Sequence, residues 1–157
     1  ELNSMGSGIW GSAFFAIFAV MIIISRPLVG KAYARYGSKY IIYPGLVLFI
    51  LGLLALGIAT TPLTIILTAP LLGLGYGAAQ PAFQALAIQS APIERAGVST
   101  ATYFLALDIS VGAGSVILAL LASAVGYQYL YMFTAVTMIV ALALYHIWIK
   151  RYTPLEL

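Results

Sequence analysis

Residues 8–25 read GIWGSAFFAIFAVMIIIS, a stretch of eighteen residues that contains no charged side chain. A membrane-spanning helix needs about 20 mostly apolar residues to cross roughly 30 Å of hydrocarbon, so this stretch is close to one crossing. Four further, mostly apolar stretches follow along the chain, at residues 40–59, 63–89, 97–124 and 129–149. The sequence therefore predicts five membrane-spanning helices and an all-α integral membrane protein.

The composition excludes most other classes of protein. Of the 157 residues, 63% are hydrophobic and 7% are charged, whereas about a quarter of the residues of a soluble domain are charged. So little polar surface cannot cover a globule in water, which excludes a disordered chain, an ordinary soluble enzyme and a nucleic-acid-binding module. The chain has no Cys and one His, so we expect neither a metal site nor a cofactor.

The positive charges predict how the chain lies in the membrane. Five crossings place the two termini on opposite sides, and every Lys and Arg falls on the side of the C-terminus. Cytoplasmic loops carry the excess of Lys and Arg, so we expect an external N-terminus and a cytoplasmic C-terminus. The seven cations are Arg26, Lys31, Arg35, Lys39, Arg95, Lys150 and Arg151.

Short connections join the predicted spans, so residues 1–157 are expected to form a single transmembrane bundle. An external N-terminus without a signal peptide is unusual for a complete protein, and the chain begins with Glu1. We therefore expect a fragment that lacks at least one preceding helix. A complete five-span protein is the alternative.

The residues after the first predicted span resemble a loop motif of the major facilitator superfamily of transporters. Residues 26–39 read RPLVGKAYARYGSK, and the motif consists of Gly, three residues, Asp, a basic residue, any residue, Gly and a basic pair. Ala34 stands where the motif has Asp, and Ser38 replaces the first residue of the basic pair. This degenerate copy is similar to the one between the eighth and ninth helices of these transporters. The matching positions are Gly30, Arg35, Gly37 and Lys39.

The rest of the chain resembles the same half of the family's fold. Residues 73–81, GLGYGAAQP, are similar to the tenth helix, and residues 90–97 to the loop after it. Residues 102–114, TYFLALDISVGAG, resemble the eleventh helix of branches that export drugs and metabolites. The resemblance implies helices eight to twelve, five of the six helices of the C-terminal bundle. Placement as helices two to six is less favoured, because Ala34 removes the acid of the motif.

By this resemblance the chain is part of a secondary active transporter that exports small organic or drug-like molecules in exchange for protons, by alternating access. A nutrient or metabolite importer of the same fold is one alternative, and a small five-span interaction subunit is another. An enzyme is not expected, because no cluster of His, Asp or Glu could perform chemistry. The expected partners are the lipid bilayer, a small-molecule substrate, protons and the missing N-terminal half, and the expected location is a bacterial cytoplasmic membrane.

Asp108 is the acidic residue that lies within a predicted span, near the middle of the fourth. A charge at that depth costs at least about 2.5–3.5 kcal/mol on insertion scales, so the carboxyl should face a cavity or carry a proton. We interpret Asp108 as the proton-coupling residue of the transporter. A neutral carboxyl that hydrogen-bonds a neighbouring helix is the alternative interpretation.

Polar side chains recur along the third predicted span. Tyr76, Gln80 and Gln84 are four residues apart, so they share one stripe of a helix. Polar groups in lipid need partners, so we expect the stripe, together with Tyr103, to form the wall of a substrate cavity. An alternative of equal weight is that these side chains form hydrogen bonds between helices and bind no ligand. Small residues that predict close helix packing are Gly73, Gly77, Gly112 and Gly114.

Overall fold

The computed structural model describes the backbone of residues 2–152 and the side chains of residues 8–147. A short 3₁₀ turn at Ile93–Arg95 precedes the fourth of its five long helices. Within the described residues, five helices are long and apolar enough to cross a membrane, which confirms the predicted all-α architecture. The side chains of Lys150 and Arg151 lie outside the described residues. The long helices are α1 (Leu2–Tyr36), α2 (Lys39–Ile58), α3 (Pro62–Gln89), α4 (Ala96–Val125) and α5 (Tyr127–Tyr152).

Helix α1 continues through most of the segment that we expected to be a loop. Residues 26–36 are helical, with Pro27 inside the helix, so the expectation of a loop is wrong for these residues. Good helix formers such as Lys, Ala and Arg occupy much of this segment, and they extend the helix beyond the apolar stretch. Gly37 then ends the helix: its φ is 81°, and its N–H donates to the Tyr33 carbonyl at 2.9 Å.

Helix α3 is the centre of the bundle and packs against both α1 and α2, while α5 packs mainly against α2. Helices α1 and α3 run parallel, because the residue numbers of their contacting pairs differ by a nearly constant amount, from 52 to 56. A core of buried apolar side chains joins α2, α3 and α5, and Ile42 is fully buried at its centre. The contacting pairs are Phe18 with Gly73, Ile22 with Gly77, and Tyr33 with Gln89.

Helix α4 lies at the edge of the bundle. None of its residues is buried, and it touches α3 and α5 over short stretches only. It runs antiparallel to α3, since Ser99 donates to the Ala87 carbonyl at 2.7 Å and Tyr103 donates to the Gln80 carbonyl at 3.2 Å. Because the two helices are antiparallel, Asp108, which follows Tyr103 by five residues on α4, lies at the level of a residue about five positions before Gln80 on α3. Asp108 is therefore level with the middle of α3.

Candidate functional site

A cleft of about 520 Å³ lies between α1 and α3, with Phe104 of α4 at its side. We call it the Arg26 cleft. Its volume falls within the range of about 300–1,000 Å³ that is typical of sites for small organic molecules. The polar side chains that line it are Arg26, Tyr33, Gln80 and Gln84, and the remaining lining is Val29, Gly30, Ala34, Pro81, Ala82, Ala85 and Phe104.

The polar lining of the Arg26 cleft consists mainly of hydrogen-bond donors. Arg26 is exposed, and no described carboxylate pairs with it. Gln80 and Gln84 are half-buried, and neither side chain has a hydrogen-bond partner among the described residues. The hydroxyl of Tyr33 donates to Gln89 Oε1 at 2.9 Å. A guanidinium group and two free amides can therefore contact a molecule in the cleft.

The predicted stripe of polar residues on α3 is divided by the tertiary structure. Gln80 and Gln84 line the Arg26 cleft, and Tyr103 reaches the Gln80 carbonyl from α4. Tyr76 does not line this cleft; its ring centroid lies 6.2 Å from that of Phe18 and 6.2 Å from that of Phe49. Residues four apart rotate by about 40° around an α-helix. Over eight residues this drift is large enough to give the two ends of the stripe different neighbours.

Asp108 lies on the exposed side of α4. Its carboxyl makes no ion pair or hydrogen bond with another described residue, and it does not line the Arg26 cleft. Phe104, one turn earlier on the same face of α4, does line that cleft. Asp108 is therefore one turn farther from the end of the bundle that carries Arg26, at about the depth of Tyr76.

The four glycines that predict helix packing fall into two pairs. A Cβ at Gly73 would lie 2.7 Å from the Phe18 carbonyl oxygen, and a Cβ at Gly77 would meet Ser25 Oγ, so α1 and α3 touch backbone to backbone. No atom lies within 4 Å of the corresponding positions at Gly112 and Gly114. Within the described residues, no helix packs on the face of α4 that carries these two glycines.

The residues of the loop motif have separate positions at one end of the bundle. Gly30 lines the Arg26 cleft, and Gly37 ends α1. The guanidinium carbon of Arg35 lies 5.3 Å from the ring centroid of Tyr36, a distance at which a cation and an aromatic face attract. Lys39 is the first residue of α2 and is exposed.

A second cleft, of about 570 Å³, was not predicted from the sequence. It lies toward the opposite end of the bundle, and its lining is almost wholly apolar and aromatic. We call it the aromatic cleft. A signal for it exists in the sequence, because Trp10, Phe14 and Phe18 are four residues apart on α1. Its lining is Trp10, Gly11, Phe14, Phe15, Phe18, Phe49, Leu53, Leu56, Pro62, Ile65, Leu72 and Tyr131.

The two clefts follow one another along α3. Leu72 lines the aromatic cleft, Gln80 lines the Arg26 cleft, and Tyr76 lies between them. The Tyr76 ring packs near Phe18 and Phe49, which both belong to the aromatic cleft. Tyr76 therefore lies along α3 at the boundary between the two clefts. Among the described residues, no group of three His, Cys, Asp or Glu side chains could hold a metal ion.

The sequence matches the family model of the Major Facilitator Superfamily over residues 3–156. The "uncharacterized MFS-type transporter YhhS" of Escherichia coli O6:H1 is 29% identical over 151 residues, which cover 94% of this chain and 37% of that protein. The protein of the same name from Salmonella typhimurium is 28% identical over 147 residues, covering 92% and 36%. The chain thus spans a little over a third of the length of these curated relatives. No solved structure matches the chain significantly.

Proposed function

Because this chain belongs to the Major Facilitator Superfamily, we propose that it forms helices eight to twelve, in the C-terminal half, of a proton-coupled exporter of small organic or drug-like molecules. Membership of the family supports part of a multi-pass membrane transporter rather than an enzyme. The proposal includes the location in a bacterial cytoplasmic membrane, the direction of transport, the coupling ion and the class of substrate. Two groups of observations support them.

The distribution of charge supports an external N-terminus and a cytoplasmic C-terminus. Within residues 8–147, every Lys and Arg lies at the end of the bundle where α1 and α3 finish and where α2 and α4 begin. An excess of cations marks the cytoplasmic face of a membrane protein. The Arg26 cleft lies at this basic end, so a solute in the cytoplasm reaches it before it reaches the depth of Asp108. In the proposed direction, export, the substrate meets this cleft first.

The observation that carries the proposal of proton coupling is the position of Asp108. The residue lies near the middle of the bundle's depth, is exposed, and has no ion-pair or hydrogen-bond partner among the described residues. A carboxylate that faced lipid there would cost at least about 2.5–3.5 kcal/mol. This face of α4 is therefore expected to border a water-filled cavity, or another part of the transporter, rather than acyl chains.

In such a cavity the carboxyl can take part in the transport cycle. Rocking of two helix bundles opens a site near the middle of the membrane first to one side and then to the other. When the cavity faces outside, Asp108 binds a proton; when it faces the cytoplasm, it releases that proton. One proton moves inward while the substrate moves outward. Gln80 and Gln84 supply hydrogen bonds to the substrate on this half of the site. Tyr103 packs beside them with its hydroxyl on the Gln80 carbonyl, and Tyr76 supplies an aromatic surface.

The proposal is tested by flux measurements on the complete protein in lipid vesicles whose interior is acidic. The probes are 2-naphthalenesulfonate, an anion, and ethidium, a cation. We expect the wild type to accumulate at least one of them, and a protonophore to abolish the accumulation. Asp108→Asn should lose accumulation driven by the pH gradient while retaining exchange of the probe at equal pH. Glu94→Gln, which changes an exposed acid on the 3₁₀ turn, is the matched control.

Three results would contradict the proposal. Gradient-driven accumulation by Asp108→Asn at the wild-type rate would remove the coupling role of this carboxyl. Accumulation that requires an alkaline interior would make the protein an importer. Failure of the wild type to move either probe would leave no support for export of drug-like molecules.

A further inference from the structure

We infer that the Arg26 cleft binds molecules that carry an anionic group, such as a carboxylate, sulfonate or phosphate, next to an apolar body. This inference deepens the proposed function, on which it rests only in treating the cleft as a substrate site. Arg26 is the cation in the lining of the cleft, and no acidic residue lines it. The acids within residues 8–147 are Glu94 and Asp108, and both lie elsewhere. The cleft therefore has a net positive charge.

The donors in the cleft match an anionic group. The guanidinium group of Arg26 has five N–H donors in a planar arrangement that suits the oxygens of a carboxylate or phosphate. The amides of Gln80 and Gln84 have no hydrogen-bond partners among the described residues, so their N–H groups are available to further oxygens of the same anion. Hydrogen bonds to an ionised group are roughly twice as strong as those between neutral groups.

The position of Arg26 along α1 strengthens the preference of the cleft for an anionic group. It follows the apolar residues 8–25, so it lies about 27 Å along the helix from Gly8, close to the edge of a hydrocarbon core of roughly 30 Å. The parallel packing of α1 and α3 brings Arg26 to the level of Pro81, between the two glutamines. Charges attract more strongly at such a partly apolar boundary than in bulk water.

The remaining lining explains why the ligand should also have an apolar part. Val29 and Ala34 of α1, Pro81 and Ala85 of α3, and Phe104 of α4 surround the polar groups with apolar surface. An inorganic anion would leave this surface exposed to water, whereas a ring or short alkyl chain would cover it.

Other cations at the same end of the bundle do not have this setting. The guanidinium of Arg35 lies over the ring of Tyr36, and Arg95 is exposed on the 3₁₀ turn. Neither lines the Arg26 cleft. Substitution of Arg95 is therefore a control for the general effect of positive charge on the cytoplasmic face.

Binding is measured on the complete protein in lipid nanodiscs by equilibrium dialysis, without any requirement for transport. The probes are 2-naphthalenesulfonate and its uncharged analogue 2-naphthalenesulfonamide. We expect the wild type to bind the sulfonate at least about tenfold more tightly than the sulfonamide, because an ionised group adds charge-assisted hydrogen bonds. Arg26→Gln should weaken sulfonate binding by about tenfold or more and leave sulfonamide binding unchanged. Arg26→Lys should retain part of the preference for the sulfonate over the sulfonamide, and Arg95→Gln should retain all of it.

The composition of the nanodisc distinguishes two sources of the anion. If the natural ligand is a soluble organic anion, sulfonate affinity is the same in phosphatidylcholine and phosphatidylglycerol. If the headgroup of an anionic lipid occupies the cleft, phosphatidylglycerol weakens sulfonate binding to the wild type but not to Arg26→Gln. Equal affinity for sulfonate and sulfonamide, wild-type sulfonate binding by Arg26→Gln, or no saturable sulfonate binding by the wild type would each overturn the inference. Because binding and flux are measured separately, a protein that binds the sulfonate but moves no probe would contradict only the proposed export.

Discussion

Replacement of Gly77 by Ala should loosen the contact between α1 and α3. The added Cβ would meet the Oγ of Ser25, a residue that is only 3% exposed, and would lie 3.0 Å from the Cα of Ile22. The Ser25 hydroxyl donates to the Ile22 carbonyl at 2.8 Å, so it cannot turn away without losing that hydrogen bond. Either the backbone of α1 moves or a buried hydroxyl loses its partner.

The magnitude follows from these two possibilities. Overpacking a close contact costs about 1–3 kcal/mol, and a buried donor without a partner costs about 1–3 kcal/mol. The helix propensity of Ala over Gly offsets at most about 1 kcal/mol. We therefore expect Gly77→Ala to lower the free energy of unfolding by about 1–3 kcal/mol, the larger part of it through the Ser25 hydroxyl.

The assay is reversible unfolding of the complete protein in mixed micelles, followed by circular dichroism. Ser25→Ala removes the atom that the new methyl group would meet, so the double variant Gly77→Ala/Ser25→Ala should recover at least about 0.5 kcal/mol relative to the sum of the single changes. Gly97→Ala is the control, because no atom lies within 4 Å of a Cβ at that exposed position. We expect it not to lower stability, because only the helix propensity of Ala acts there, and this favours Ala by at most about 1 kcal/mol. Additive effects of Gly77→Ala and Ser25→Ala would refute the reasoning.

Two further substitutions test the end of α1 and the boundary between the clefts. Gly37→Ala places a Cβ at a φ of 81° and should destabilise the protein by about 1–2 kcal/mol in the same unfolding assay, whereas Gly37→Asn should cost less because Asn tolerates this conformation. An equal loss for both would show that the conformation is not the cause. Tyr76→Ala should open a path between the Arg26 cleft and the aromatic cleft, so that 2-naphthalenesulfonate leaks across vesicles without a pH gradient; Tyr76→Phe keeps the ring and should not leak. A leak-free Tyr76→Ala protein would contradict the role of the ring as a separator.

Much of the fold was predictable because its main determinants act locally. An apolar stretch of about 20 residues becomes a helix in a membrane whatever its neighbours are, since the backbone must satisfy its hydrogen bonds internally. The end of α1 was less predictable. The charges after residue 25 marked the edge of the apolar stretch, but a helix can continue past that edge until a residue such as Gly37 ends it.

The candidate site was predictable only in part. The polar types of Gln80 and Gln84 indicated a place where hydrogen bonds are made, and both residues line a cleft. From the sequence, Arg26 was interpreted only as one of the cations on the cytoplasmic side. It is far from Gln80 and Gln84 along the chain, so the sequence does not indicate that the three residues line the same cleft. The aromatic cleft was missed for the same reason, as it combines side chains from four helices.

The sequence by itself determined the number of helices and the gathering of charge at one end of the bundle. Both follow from composition and order along the chain, through the cost of placing polar groups in hydrocarbon. Only the tertiary structure decided which side chains share a space. The parallel contact of α1 and α3 through Gly73 and Gly77 brings Arg26 beside Gln80, and the rotation along α3 turns Tyr76 toward other neighbours. Such contacts depend on the distance and the register between two helices, and the sequence of one helix alone determines neither.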